Sequence, residues 1–173
     1  MKNLTKLLAI HKIAIIITLA AVIAFSFVAC ASSATRGSDV EDPSLYGSWV
    51  NQVGEIWVFD NGSFTTMVAN VESVRGTYTT RGNRLTMTIS DVKGSVFGSD
   101  APTIGISASQ WYTKSEVRTA IINYGVSQGL SQSQAPEVAD KVLRENPFFN
   151  PMTGRYSVSG NTLTIGRAIL TRV

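Results

Sequence analysis

Covalent and acid–base chemistry in a protein usually runs through histidine, cysteine or paired carboxylates, and this sequence is sparing with all three. Its one histidine, His11, and its one cysteine, Cys30, both precede the first stretch that reads as folded. A body without either cannot assemble a Ser-His-Asp or Cys-His relay, nor an ordinary Cys/His zinc site. Glu55, Glu72, Asp91 and Glu116 remain, spread over different elements. Two carboxylates converging in one cleft is the enzyme scheme left open. Asp60-Asn61-Gly62-Ser63 lacks the regular series of oxygen ligands of a calcium loop and reads as a solvated turn. No glycine-rich strand-to-helix loop is present to cradle a phosphate. The expectation is a non-enzymatic protein with no metal and no cofactor.

Lys2, Lys6 and Lys12 precede an apolar run from Ile13 to Val28, the layout of a secretory signal. Fifteen basic residues stand against twelve acidic ones in the whole chain. With those three lysines gone the charges balance, which argues against nucleic acid as a partner. The run ends in Phe27-Val28-Ala29-Cys30-Ala31-Ser32-Ser33. This stretch resembles the lipobox of bacterial lipoproteins, although Phe27 stands where that motif has Leu, Val or Ile. The resemblance implies cleavage of a signal at 1–29 and acylation of Cys30, by palmitate or similar chains. It also implies a partner membrane and an address on the bacterial cell envelope, at the outer membrane or cell surface. A retained membrane helix or a free buried thiol is the alternative. Residues 30–43, rich in Ser, Ala, Asp and Gly, read as a flexible tether.

The body, 44–173, is organised on a hairpin that occurs twice. Gly76-Thr-Tyr78-Thr-Thr-Arg-Gly82-Asn83-Arg-Leu85-Thr-Met87 is matched by Gly154-Arg-Tyr156-Ser-Val158-Ser-Gly160-Asn161-Thr-Leu163-Thr-Ile165. A Gly-Asn pair suits a two-residue turn with positive φ at its first position. Counting outward sets Tyr78 opposite Met87, Thr80 opposite Leu85, Tyr156 opposite Ile165 and Val158 opposite Leu163. One face is then apolar and the other rich in hydroxyls, as in a sheet wetted on one side. Asn61-Gly62 marks another hairpin, pairing Phe59 with Phe64 and Trp57 with Thr66. A short strand is expected over Thr103–Ser109. A helical pair is expected over about 113–146. Its first stripe is Val117, Ala120, Ile121 and Tyr124, started by a Thr113–Glu116 capping box with Tyr112 stapled on Val117. Its second is Ala135, Val138, Ala139, Val142 and Leu143. Eight or nine strands with this insertion make the fold mainly β: an antiparallel up-and-down barrel of about eight strands.

Gly47-Ser48-Trp49 on the first strand, followed by short alternating strands, resembles the lipocalin superfamily. The likeness is nearer to small lipocalin-like bacterial lipoproteins with Gly-x-Trp and Gly-Asn-x-Leu elements, over Leu45–Ile89 and Gly154–Val173. It implies that an arginine near the barrel's end, Arg167 or Arg172, packs across Trp49. It also implies a barrel that holds a small hydrophobic ligand, lined by Trp57, Phe59, Phe64, Tyr78, Leu85, Met87 and Tyr156. A self-filled core is the alternative for those side chains. The function would then be contact with a protein partner through loops and the helical insert. The lipobox reading carries its own expectation: intact mass spectrometry of the mature chain gives an N-terminus at Cys30 bearing two or three acyl chains. Cys30→Ser leaves residues 1–29 uncleaved, and a mature chain starting elsewhere would remove the anchor.

Overall fold

The computed structural model describes residues 41–173; the expected signal, Cys30 and most of the expected tether lie outside the described residues. Nine strands form: β1 Gly47–Asn51, β2 Ile56–Asp60, β3 Ser63–Val68, β4 Val71–Arg81, β5 Arg84–Lys93, β6 Trp111–Thr113, β7 Met152–Ser159, β8 Thr162–Ile165 and β9 Ala168–Arg172. Eight of them close an antiparallel up-and-down barrel in the order β4-β3-β2-β1-β9-β8-β7-β5, with β5 pairing back to β4. The short β6 adds to β5. The described residues divide into two compact units, the barrel (41–90 with 150–173) and the insert (91–149).

Turn chemistry sets the barrel's registers. Asn61 and Gly62 both have positive φ, as a type I′ hairpin demands, and β2 pairs β3 with Phe59 opposite Phe64 and Trp57 opposite Thr66. Gly82 and Gly160 take positive φ at the first position of their two-residue turns. Tyr156 accordingly faces Ile165 and Val158 faces Leu163. The registers counted from the sequence for the β2–β3 and β7–β8 hairpins are the observed ones. Alternation does the rest: Trp57, Phe59, Phe64, Tyr78, Leu85, Met87, Leu163, Ile165 and Leu170 are all buried. Gly76 lets β4 pass close to β5, since a Cβ there would meet the Thr88 carbonyl and the Phe64 ring.

One end of the barrel is crossed by the 3-10 turn Pro43–Leu45 that precedes β1. Its position follows from four hydrogen bonds and one ring contact. The Trp49 indole N–H donates to the Leu45 carbonyl (2.7 Å), and the inward-facing Tyr156 of β7 donates its hydroxyl to Asp42 (2.7 Å). Arg172 lies over the Trp49 ring, 4.2 Å from its centroid, and donates to the carbonyls of Tyr46 (2.7 Å) and Ser44 (2.9 Å). Of the two arginines that the sequence offered for this place, Arg172 occupies it. Arg167 sits in the exposed β8–β9 turn, too far along the hairpin to reach Trp49.

The insert begins as a long 3-10 stretch, Gly94–Ile104, interrupted at Gly98. The strand expected over Thr103–Ser109 does not form. Ile104 and Ile106 do alternate and are buried, but Gly105 between them turns left-handed (φ 75°), which ends any extended run. Trp111–Thr113, read from sequence as the approach to a helix, is the strand β6. Helix α1, Lys114–Ser127, then starts on a complete capping box between Thr113 and Glu116. The Tyr112 hydroxyl accepts from the Ser107 amide (2.8 Å).

Helix α2 spans Gln134–Glu145, with Pro136 in its first turn, where no intrahelical amide is needed. The stripes Val117–Ile121–Tyr124 and Ala135–Ala139–Val142–Leu143 are buried, whereas Ala120 and Val138 are half-buried. Gly125, inside the last turns of α1, admits Leu130 and Ala135, which an added Cβ would meet at 3.0 and 3.6 Å. Arg118 grips Asp140 with two bonds (2.6 and 3.0 Å) across the helix pair.

The stack on Trp49 gives a stability test. Arg172→Met keeps the aliphatic stem and removes the charge and both donors, and it should cost about 2 kcal/mol in urea unfolding. Arg167→Met should cost less than about 0.5 kcal/mol. Equal costs would mean that the stack does not close this end.

Candidate functional site

The residues expected to line a pocket come together inside the barrel. Phe59 is the hub: its ring meets Tyr78 edge-on at 5.2 Å and lies 6.3 Å from both Trp57 and Phe64. Leu85 and Met87 are fully buried beside them, and Tyr156 is nearly so. These separations are those of aromatic packing, ring against ring.

At the end crossed by Pro43–Leu45, three tyrosines and two acids meet. Glu41 accepts from the Tyr46 hydroxyl (2.8 Å) and Asp42 from that of Tyr156. Burial alone would raise the Asp42 carboxyl, but the bonds from Tyr156 and Ser44 outweigh it and hold it below its usual value. Tyr156 is pushed up to about 12, by burial first and then by its bond to Asp42. Tyr78 is also pushed up to about 12, by burial and then by Tyr46, with the Gly62 backbone counteracting. Its hydroxyl closes no hydrogen bond of good geometry among the described residues. The sequence flagged Tyr78 and Tyr156 as lining but gave no signal for Asp42, which lies 114 residues from its partner.

The opposite end carries polar groups under the β1–β2 and β3–β4 hairpins. Glu55 is inward and buried. Its Oε2 accepts from the Asn51 amide (3.0 Å), while Asn51 Oδ1 accepts from the backbone amides of Val53 (3.1 Å) and Glu55 (2.9 Å). Burial raises the Glu55 carboxyl, and the Trp57 indole and Asn51 amide only partly offset it. Thr66 and Ser73 share a buried hydroxyl bond (2.8 Å).

The carboxylates weighed from sequence do not form one centre. Glu72 is exposed, and Glu55 stands in the barrel unit with Asn51 as its polar partner. In the insert, Asp91 stands opposite Thr113 in register and Glu116 caps the same residue. The Thr113 backbone and hydroxyl hold Glu116 below its usual value, with Asp91 opposing them. Among the described residues no group of three His, Cys, Asp or Glu is placed to hold a metal ion.

The insert has its own cleft, lined by Val96, Phe97, Val117, Leu143, Phe148 and Phe149 with Asn146 at its edge. The enclosed part is about 20 Å³, room for one water or a methyl group. Phe148 and Phe149 meet edge to face at 5.6 Å. Val96 and Phe148 are half-buried, so the cleft presents apolar surface at its mouth.

No family model, curated protein or solved structure matches this chain.

Two titrations follow from this geometry. Glu55 has its folded-state pKa raised above the ordinary 4.5. Its contribution is therefore fully present below that value and lost as pH rises through the folded pKa. Glu55→Gln should be more stable than the native chain at neutral pH, and the difference should vanish in acid; a difference independent of pH would refute the assignment. Tyr78 and Tyr156 likewise stay protonated in the folded state while the unfolded chain ionises near 10. Stability should fall as pH rises from about 10 towards 12, with Tyr78 and Tyr156 silent in tyrosinate absorbance until then.

Proposed function

We propose that this chain is a membrane-tethered lipoprotein of the bacterial cell envelope, built on a self-filled lipocalin-like barrel. Its work is contact with a protein partner through the apolar cleft of the helical insert. The observation that carries this reading is where the apolar surface lies. In the barrel, the rings of Trp57, Phe59, Phe64 and Tyr78 pack on one another and are buried. In the insert, Phe97, Val117, Leu143, Phe148 and Phe149 line a cleft with an open mouth. Aromatic anchors seated in small apolar pockets dominate protein–protein binding energy. A cleft with room for about one methyl group suits the tip of a Leu, Ile or Met side chain supplied by a partner.

The reading in which the barrel binds a small hydrophobic ligand asks those interior rings to part, so it stands second. The membrane tie rests on the Cys30 motif; among the described residues no helix is long and apolar enough to cross a membrane.

A photo-crosslinking residue at Phe148, in the full chain and in its native membranes, tests the main reading. One dominant protein adduct is expected, and Val96→Asp on the facing wall should weaken it about tenfold or more, the equivalent of about 1.4 kcal/mol. No adduct, or one indifferent to Val96→Asp, would overturn the cleft. A stoichiometric small lipophile retained in native mass spectrometry would bring the ligand reading forward.

A further inference from the structure

The barrel's exposed aliphatic side chains are not scattered. Six large hydrophobic residues are exposed among the described residues: Val53, Val68, Val71, Val126, Ile169 and Val173. Four of the six occupy one rim of the barrel, the end opposite the Pro43–Leu45 turn. Val53, 87% exposed, tips the β1–β2 hairpin; Val68 (48%) and Val71 (52%) flank the β3–β4 tip; Ile169 (52%) lies just below the β8–β9 tip. In the sheet order β4-β3-β2-β1-β9-β8 these three hairpins are consecutive, so the four side chains belong to one arc. The chain leaves for the insert after β5 and returns at β7, at this same end but on the two barrel strands outside that arc. Turn positions normally favour Gly, Asn, Asp, Ser or Pro, so a fully exposed valine at a tip has no local reason.

We infer that this arc rests on the membrane surface, its aliphatic hairpin tips dipping into the interface of the bilayer to which the chain is tethered. The inference builds on the proposed lipid anchor and adds which end of the barrel meets the lipid. Two observations choose a bilayer over a protein. Protein interfaces concentrate their energy in Trp, Tyr and Arg and under-use Val, whereas the arc presents three valines and an isoleucine. Arg167, exposed in the β8–β9 turn, adds a long cationic side chain beside Ile169, suited to lipid phosphates.

The tether permits the geometry. Residues 30–41 reach roughly 36–40 Å when extended. The longest strand, β4, has eleven residues. At a barrel tilt it stands roughly 27 Å tall. A tether leaving the far end can therefore run the length of the barrel and still bring the valine rim down to the bilayer.

A Val53→Cys variant of the full lipidated chain tests this, because acylated Cys30 leaves the new thiol as the single site for an environment-sensitive fluorophore. Asn161→Cys, in the exposed turn at the opposite end, is the control. In phosphatidylethanolamine–phosphatidylglycerol vesicles, shallow spin-labelled lipids should quench the probe at 53 at least about twofold more than the probe at 161, as for groups sunk about 5–10 Å into the interface. Equal quenching at both sites overturns the inference. A change at 53 that requires an added envelope protein rather than lipid also overturns it and assigns the rim to a protein. Intact mass separates this outcome from failure of the anchor: acyl groups on Cys30 report the tether, whereas quenching reports the rim whichever N-terminal device holds the chain.

Discussion

The Arg172 guanidinium does three jobs that no other side chain near it can do. It lies over the Trp49 indole, and its fork donates to the carbonyls of Tyr46 and Ser44. Those carbonyls belong to a turn entering the barrel, outside any strand ladder. Left bare at a protein surface they would be solvated, but then the turn would have no reason to lie across the opening. The guanidinium is weakly hydrated and planar, so it can cover an aromatic face and bond in its own plane at once. It thereby joins β9 to β1 and to the segment ahead of β1. Trp49, anchored to Leu45 by its indole N–H, is held between that segment and the arginine.

From this end the filling of the barrel follows the alternation of its strands. The period-2 pattern and the two-residue turns were legible because both are local: a Gly-Asn or Asn-Gly pair fixes the register, and the register decides which side chains face inward. Phe59 opposite Phe64 and Tyr156 opposite Ile165 follow from counting alone. The choice between Arg167 and Arg172 was not legible by counting. It depends on where β9 pairs with β1, and the register sets Arg172 across from Trp49.

The insert was legible only where it is helical. The capping box at Thr113 and the Val117–Ile121–Tyr124 stripe announce α1. β6 is three residues long and exists because Asp91–Lys93 offers it an edge, a non-local partner that a window of sequence cannot supply. The Gly94–Ile104 stretch has no helical or strand period. Its fold is decided by close passages such as Gly94, where a Cβ would strike the Ser107 carbonyl. The acid–tyrosine contacts at the barrel's end were hidden for the same reason, since Asp42 and Tyr156 meet only after the barrel has closed.

What the barrel is used for turns on the cost of making room inside it. Truncating one buried Phe or Trp costs roughly 3–5 kcal/mol. A whole domain of ordinary stability has about 5–15 kcal/mol to lose. Admitting even a small lipophile between Phe59, Phe64 and Tyr78 means parting rings that now pack on one another. The polar groups inside are engaged only in part. Glu55 Oε2 is held by Asn51 and Thr66 by Ser73, whereas Glu55 Oε1 and the Tyr78 hydroxyl close no hydrogen bond of good geometry among the described residues. On the proposed reading, the surfaces left for binding are the ones already apolar and already exposed, namely the cleft of the insert and the valine rim of the barrel.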